Sequence, residues 1–211
     1  MALGPQLYNA AFDGDISDVQ RLLKEGADVH WANEDGYTPL FVAAQNGHDA
    51  VVKTLLGANA AVNLALDVRS LLLPTGETPL FIAAENGHDV VVKTLLGANA
   101  AVNLAMNDGS TPLFIAAQSA HDVVVKTLLG ANAAVDLAKN TGATPLFVAA
   151  QDGHYDVVKT LLTANAAVNL AMNNGATPLY VAAQYGHDAV VKTLLGANAA
   201  VDQAMNVLCT K

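Results

Sequence analysis

Five times along the chain the triplet Thr-Pro-Leu opens the run Thr-Pro-Leu-(Phe/Tyr)-(Val/Ile)-Ala-Ala, at Thr38, Thr78, Thr111, Thr144 and Thr177. The intervals are 40, 33, 33 and 33 residues. A fixed period of this size implies one short unit stacked several times, because a single copy is too small to bury its own apolar face. The period predicts one domain over 1–211: a degenerate first copy at 1–32, copies at 33–65, 66–105, 106–138, 139–171 and 172–204, and a tail at 205–211. The 66–105 copy is longer by seven residues at 68–74.

Within the copy at 33–65, Thr38 is placed to cap a helix. Pro39 follows at the first helical position, where its missing N–H is no loss. Leu40, Val42, Ala43 and Ala44 supply the packing side of this short helix, and Asn46-Gly47 ends it. A second helix starts near His48-Asp49, with Val51, Val52, Leu55 and Leu56 on one stripe. Asp49 precedes Lys53 by four residues, the better order for a helical ion pair. The pairing is expected again at Asp89/Lys93, Asp122/Lys126 and Asp188/Lys192, and at three-residue spacing in Asp156/Lys159. Asn59, Asn99, Asn132, Asn165 and Asn198 share one register with Gly26, and Asn and Gly are the residues that accept the left-handed turn ending a helix. The segment before each Thr-Pro-Leu contains a glycine and reads as a projecting hairpin.

The runs at 38–48 (Thr-Pro-Leu-Phe-Val-Ala-Ala-Gln-Asn-Gly-His) and 22–29 (Leu-Leu-Lys-Glu-Gly-Ala-Asp-Val) resemble the signature segments of the ankyrin repeat family. The likeness covers residues 5–204. It implies an all-α solenoid of stacked helix-turn-helix units with projecting β-hairpin loops. Two departures stand out. Aromatic residues (Phe41, Phe81, Phe114, Phe147 and Tyr180) stand where the family usually has His, and Asn-Ala-Ala-Val replaces Gly-Ala-Asp-Val in five copies. The second change removes an acid that commonly ties hairpins together, so hydrophobic contact is expected to replace some polar ties. The aromatic ladder reads first as packing between copies, and otherwise as an open strip for a partner.

The formal charge of −9 argues against binding a phosphate backbone. Residues 160–186 carry no charge but include Gly175 and Pro178, so no bilayer-spanning helix is expected there. No signal peptide is evident near the start. The only cysteine is Cys209, so no intrachain disulfide can form, and a cytoplasmic setting is expected, or a host cytoplasm for an exported effector. His48, His88, His121, His154 and His187 fall one per copy, too far apart to share a metal and without a recurrent nucleophile. They read as structural bridges. No catalytic residue, metal site or cofactor is predicted.

The resemblance implies that partners bind the concave surface formed by hairpin tips and short helices. Here that surface would begin with Glu34, Asp35, Tyr37, Gln45 and Asn46. Next come Glu77, Glu85 and Asn86, and then Asn107, Asp108, Ser110 and Gln118. The last two copies would add Asn140, Gln151 and Asp152, then Asn173, Gln184 and Tyr185. Three leucines of the insertion, Leu71, Leu72 and Leu73, either fold onto neighbouring loops or reach for a partner. The expected function is non-catalytic binding of a protein with a basic or polar contact surface.

Alternatives are a targeting arm of a larger protein, such as a bacterial or viral effector, and a structural spacer. The resemblance also raises hydroxylation at Asn63, Asn103 and Asn169, though Ala61 and its equivalents replace the acid such recognition favours. In the first copy Asp15 replaces the recurrent His and Asp18 replaces a buried valine, as a solvent-facing cap requires. The copy at 172–204 keeps Val190, Val191, Leu194 and Leu195 unchanged. An unfinished stack is expected there: a longer native protein, self-association, or the tail folded back as a lid.

Overall fold

The computed structural model describes residues 3–65 and 76–202, and the chain divides into two compact units, Met1–Asn107 and Asp108–Lys211. Among the described residues there are twelve helices and no strand. The first unit contains α1 (Leu3–Asp13), α2 (Ile16–Lys24), α3 (Pro39–Gln45), α4 (Asp49–Gly57), α5 (Pro79–Glu85) and α6 (Asp89–Gly97). Each consecutive pair packs together, and α1, α3 and α5 form one row beside a second row of α2, α4 and α6. The second unit repeats this arrangement with α7 (Pro112–Gln118), α8 (Asp122–Gly130), α9 (Pro145–Gln151), α10 (Tyr155–Thr163), α11 (Pro178–Gln184) and α12 (Asp188–Gly196).

The local chemistry sets the helix ends. The Thr38 hydroxyl accepts the N–H of Phe41 at 3.2 Å, and the four later threonines cap their helices in the same way at 3.1 Å. Every residue of Pro39–Ala44 is buried, as expected of a helix that is apolar on all sides. Ala43 and Ala44 are fully buried, and their small side chains let the next helix approach. On α4 the stripe Val51, Val52 and Leu55 is buried, each side chain contributing about 1.5–3 kcal/mol. Leu56, at the edge of the stripe, is only half-buried. Asn59 and its four equivalents have φ between 62° and 65°, and Gly26 has φ 89°.

Polar ties join successive copies. Nε2–H of His88 donates to the Gln45 carbonyl at 2.9 Å, and His48, His154 and His187 do the same to Phe12, Gln118 and Gln151. On the second row, the Thr94 hydroxyl donates to Asp49 and that of Thr160 to Asp122. Below the loops, the side-chain oxygens of Asn63, Asp136 and Asn169 accept the backbone N–H of Ala101, Ala167 and Ala200 at 2.7–2.9 Å. Polar ties between these loops thus remain, made by a carboxamide or carboxylate two residues beyond Ala61, Ala134 and Ala167.

Two expectations need correction. Among the described residues the loops are tight turns rather than paired strands: Lys139 N–H bonds Ala143 O at 2.9 Å and Gly142 N–H bonds Lys139 O at 2.8 Å, which leaves no room for a ladder there. The ion pairs Asp49/Lys53, Asp89/Lys93 and Asp122/Lys126 form at 2.5–2.7 Å, whereas Asp156/Lys159 and Asp188/Lys192 do not. In the pairs at Asp49 and Asp122, a threonine of the following copy also holds the carboxylate. Asp188 has no described copy after it. At α10 the register holds Tyr155 instead of Asp, and Lys159 lies over the Tyr155 ring at 5.4 Å.

Candidate interaction surface

The turns at 33–38 and 76–78 lead directly into the first-row helices α3 and α5. In the first unit, α1, α3 and α5 with the turns at 33–38 and 76–78 carry Asp13, Glu34, Asp35, Glu77 and Glu85, and neither lysine nor arginine. On the second row of this unit Lys53 and Lys93 pair with Asp49 and Asp89, Arg21 pairs with Asp18 and Glu25, and Lys24 ends α2 without an ion pair among the described residues, whereas Arg69 lies outside them. Negative charge is thus concentrated on the loop side.

Glu34, Asp35 and Asn86 are exposed, whereas Tyr37, Gln45, Asn46, Glu77 and Glu85 are half-buried. Burial, reinforced by the charge of Glu85, pushes the Glu77 carboxyl above its ordinary range. Register explains the burial: the positions equivalent to Glu77 hold Ser110, Ala143 and Ala176, all buried at 4–6% exposure, and the half-buried Tyr37. Glu77 is a carboxylate in a register otherwise filled by small or aromatic side chains.

Aromatic rings accompany these acids. Tyr8 meets Trp31 edge-on at 5.9 Å, and Tyr37 lies 5.2 Å from Phe41. Burial raises the Tyr8 hydroxyl pKa, with further contributions from Tyr37 and Asp35. Phe12 was not among the sequence-predicted residues. It is 49% exposed and occupies the register of Gln45 and Glu85 in the row, while its carbonyl is held by Asn46 and His48. Aligning the degenerate first copy by Asp15 against His48 would have exposed it as an aromatic in a polar column.

The second unit presents a different surface. Asp108 pairs with Lys139 at 2.8 Å. Burial alone would raise the Asp108 carboxyl, but hydrogen bonds from Lys139 and Ser110 and the charge of Lys139 hold it below its ordinary range. Adjacent turns are joined through Asn140 N–H to Asp108 O (2.9 Å), Asn173 N–H to Thr141 O (3.0 Å) and Asn173 Nδ2 to Asn140 O (2.9 Å). Gln118, Asp152 and Gln184 are exposed and Gln151 half-buried, while Asn107, the last residue of the first unit, is exposed too. Ser110 is corrected: it lies inside, its N–H donated to Asp108, and offers no surface. Tyr185 is 59% exposed and stacks on His187. Leu71, Leu72 and Leu73 lie outside the described residues.

The aromatic ladder is packing. Phe41, Phe81, Phe114 and Phe147 are 1–3% exposed, whereas Tyr180 is 41% exposed. Tyr180 lines an open groove of ≈ 340 Å³ with Leu179, Ala183, Val191, Leu195 and Val201. Among the described residues, no three His, Cys, Asp or Glu are placed to hold a metal ion, and no helix is long and apolar enough to cross a membrane.

Paired short helices, capped by Thr-Pro and tied from copy to copy through histidine, define a helical repeat protein. Models of ankyrin repeats match residues 7–103, 61–139 and 124–205, and the chain belongs to the ankyrin repeat family. It is similar to the mitochondrial disaggregase of Bos taurus, 46% identical over 65 residues (31% of this chain, 10% of the relative), and that of Homo sapiens, 45% over 65 (31% and 9%). It is also similar to cortactin-binding protein 2 of Plecturocebus moloch, 43% over 58 residues (27% and 4%). The matched segment thus spans a tenth or less of each of these relatives.

Proposed function

We propose that the chain is a non-catalytic module that binds a partner protein on its loop and first-helix side, in a cytoplasmic setting. One observation carries this reading: among the described residues, the turns and first-row helices of the first unit carry five acids and an exposed phenylalanine, with neither lysine nor arginine. An acidic face favours a basic or polar partner surface and disfavours nucleic acid. Selection from a displayed random-peptide library, followed by hydrogen-exchange footprinting of the bound chain, tests it. Protection at the turns and first-row helices is expected. Protection confined to the second-row helices would overturn it.

A second reading, self-association through the groove beside Tyr180, is favoured by the exposure of Leu195 (44%) and Val201 (74%). Sedimentation velocity at rising concentration tests it: an unchanged monomeric coefficient removes it. That the module serves as the targeting arm of a larger protein finds support in the small share that the matched segment takes of the relatives.

A further inference from the structure

Three asparagines of the chain precede a glycine: Asn46-Gly47, Asn86-Gly87 and Asn174-Gly175. In such a dipeptide no Cβ screens the glycine nitrogen from the preceding side chain. Attack of that nitrogen on the asparagine Cγ forms the N–C bond of a cyclic succinimide and breaks the Cγ–Nδ2 bond. The glycine N–H proton departs with Nδ2 as ammonia. Water then opens the ring to aspartate or to its isomer isoaspartate, and no oxidant or cofactor is consumed.

Asn46 and Asn86 are matched in their backbone surroundings. Each caps a short helix, with ψ at 0° and 3°, which turns the glycine nitrogen away from Cγ. Ring closure therefore waits for a local opening of the cap. The opening breaks like bonds at both places. Gly47 N–H to Ala44 O and Gly87 N–H to Ala84 O are both 3.3 Å, and His48 N–H to Ala43 O and His88 N–H to Ala83 O are both 2.9 Å.

The side chains differ. Asn46 is half-buried, and its Nδ2 donates to the Phe12 carbonyl of the preceding copy at 3.0 Å. Asn86 is exposed, and its Nδ2 donates at 3.0 Å to Ile82 O within its own helix. The first anchor holds Cγ to a neighbouring copy while the cap opens, whereas the second does not. At Asn174 the nucleophile is restrained instead: Gly175 is buried, and its N–H is held by Met172 O at 2.8 Å. Asn174 Oδ1 also accepts the Ala176 N–H at 3.0 Å.

We propose that Asn86-Gly87 is a self-modification site, at which the folded chain converts Asn86 to aspartate and isoaspartate ahead of Asn46 and Asn174. The product has two consequences. A new carboxylate beside Glu85 at the C-terminal end of α5 opposes the helix dipole. Isoaspartate also inserts a methylene into the main chain before Gly87. That displaces His88, whose Nε2–H holds the Gln45 carbonyl at 2.9 Å, and so loosens the bridge between the copies of α3 and α5. Nothing in this chemistry depends on partner binding.

The test incubates the full chain at pH 7 and pH 9, with a sample in concentrated urea as the unfolded control. Peptide mapping by mass spectrometry, with electron-transfer fragmentation to tell isoaspartate from aspartate, follows each asparagine. In the folded chain Asn86 should convert about three- to tenfold faster than Asn46, the worth of one hydrogen bond read as a rate ratio. Asn174 should lag Asn86 by at least about threefold. In urea, where the anchors are gone, the three rates should agree within about twofold. Asn86→Gln, whose longer side chain closes a larger ring more slowly, should remove the leading product and keep its Tm on ageing.

Asn46 converting as fast as Asn86 in the folded chain overturns the proposal. So does an early lead for Asn174, or an Asn86 that survives in the folded chain while it converts in urea. A converted sample that melts with the unaged Asn86→Gln variant would refute the loosened bridge.

Discussion

Ala120 sits at φ 61°, where Gly14, Gly47, Gly87, Gly153 and Gly186 hold the same place in other copies at 74–77°. An L-residue in this region costs about 1–2 kcal/mol because its Cβ crowds the following carbonyl. Replacing it with glycine adds conformational freedom to the unfolded chain, which offsets about 0.4–1 kcal/mol. Crowding from outside acts in the same direction. At Gly47 and Gly153 an added Cβ would fall 2.8 and 2.6 Å from Nδ1 of the next copy's histidine, and Ala120 carries that Cβ beside His154. The histidine cannot retreat without stretching its 2.8 Å bond to the Gln118 carbonyl.

Ala120→Gly should therefore stabilise the chain by about 0.5–1 kcal/mol, raising Tm by about 1–4 °C. Three companions separate the contributions. Gly153→Ala introduces strain and contact together and should cost about 2–3 kcal/mol. Gly26, with nothing within 4 Å of an added Cβ, isolates strain. Gly26→Ala should cost about 1 kcal/mol, and Gly26→Asn less than about 0.5, as Asn occupies that register elsewhere. Urea and thermal unfolding followed by circular dichroism measure all four. An unchanged or lowered midpoint for Ala120→Gly refutes the strain argument, and equal costs at Gly26→Ala and Gly153→Ala refute the histidine contact.

Gly4→Ala would place a Cβ 2.3 Å from the Trp31 ring, forcing it off Tyr8. A loss of about 1–3 kcal/mol is expected. Trp31 is the only tryptophan, so its emission should shift to the red, and an unchanged spectrum would count against the contact. Tyr155→Asp should give Thr193, which now donates to the Ala189 carbonyl, the acceptor that Asp122 gives Thr160. A gain of about 0.5–1.5 kcal/mol and slower hydrogen exchange in α12 are expected, and faster exchange would refute it. Two carboxylates should titrate with opposite signs. Glu77 has a raised folded pKa, so its penalty is absent below the ordinary value of 4.5 and complete above the folded value; Glu77→Gln should stabilise at pH 7 and lose its effect in acid. For Asp122, burial raises the pKa, but bonds from Lys126 and Thr160 and the charge of Lys126 outweigh it. Its stabilisation is full above 3.8 and fades as pH falls through the lower folded value, so Asp122→Asn should destabilise at pH 7 and progressively less in acid. Thermal melts across pH 3–7 check both signs.

Helix positions were legible because their causes are local. Thr38-Pro39 sets an N-terminus, Asn59 a left-handed stop, and Val51, Val52 and Leu55 a stripe, all within a few residues of each other. The histidine bridges could also be anticipated from their one-per-copy register. What escaped involves distant partners. The acceptor for Ala101 N–H is Asn63, 38 residues away, and nothing in the local pattern distinguishes that carboxamide from a free surface group. Ser110 reads as surface because it is polar, although the next two copies hold the buried Ala143 and Ala176 in its register. Asp156 and Lys159 looked like a pair on spacing alone, but in the pairs at Asp49 and Asp122 a threonine of the following copy also holds the carboxylate.

These misses share a cause that bears on function. Where copies are nearly identical, each residue's surroundings are supplied by its neighbours, so a shared residue is explained by stacking and carries little about recognition. The informative positions are those that break register. Phe12 puts an aromatic in a column of amides and acids, Glu77 puts a charge where serine and alanine are buried, and Tyr155 removes a tie that Asp49 and Asp122 make. Neither Phe12 nor Glu77 is needed for stacking, since the other copies stack without them, so these positions, rather than the shared ones, are where recognition can be written.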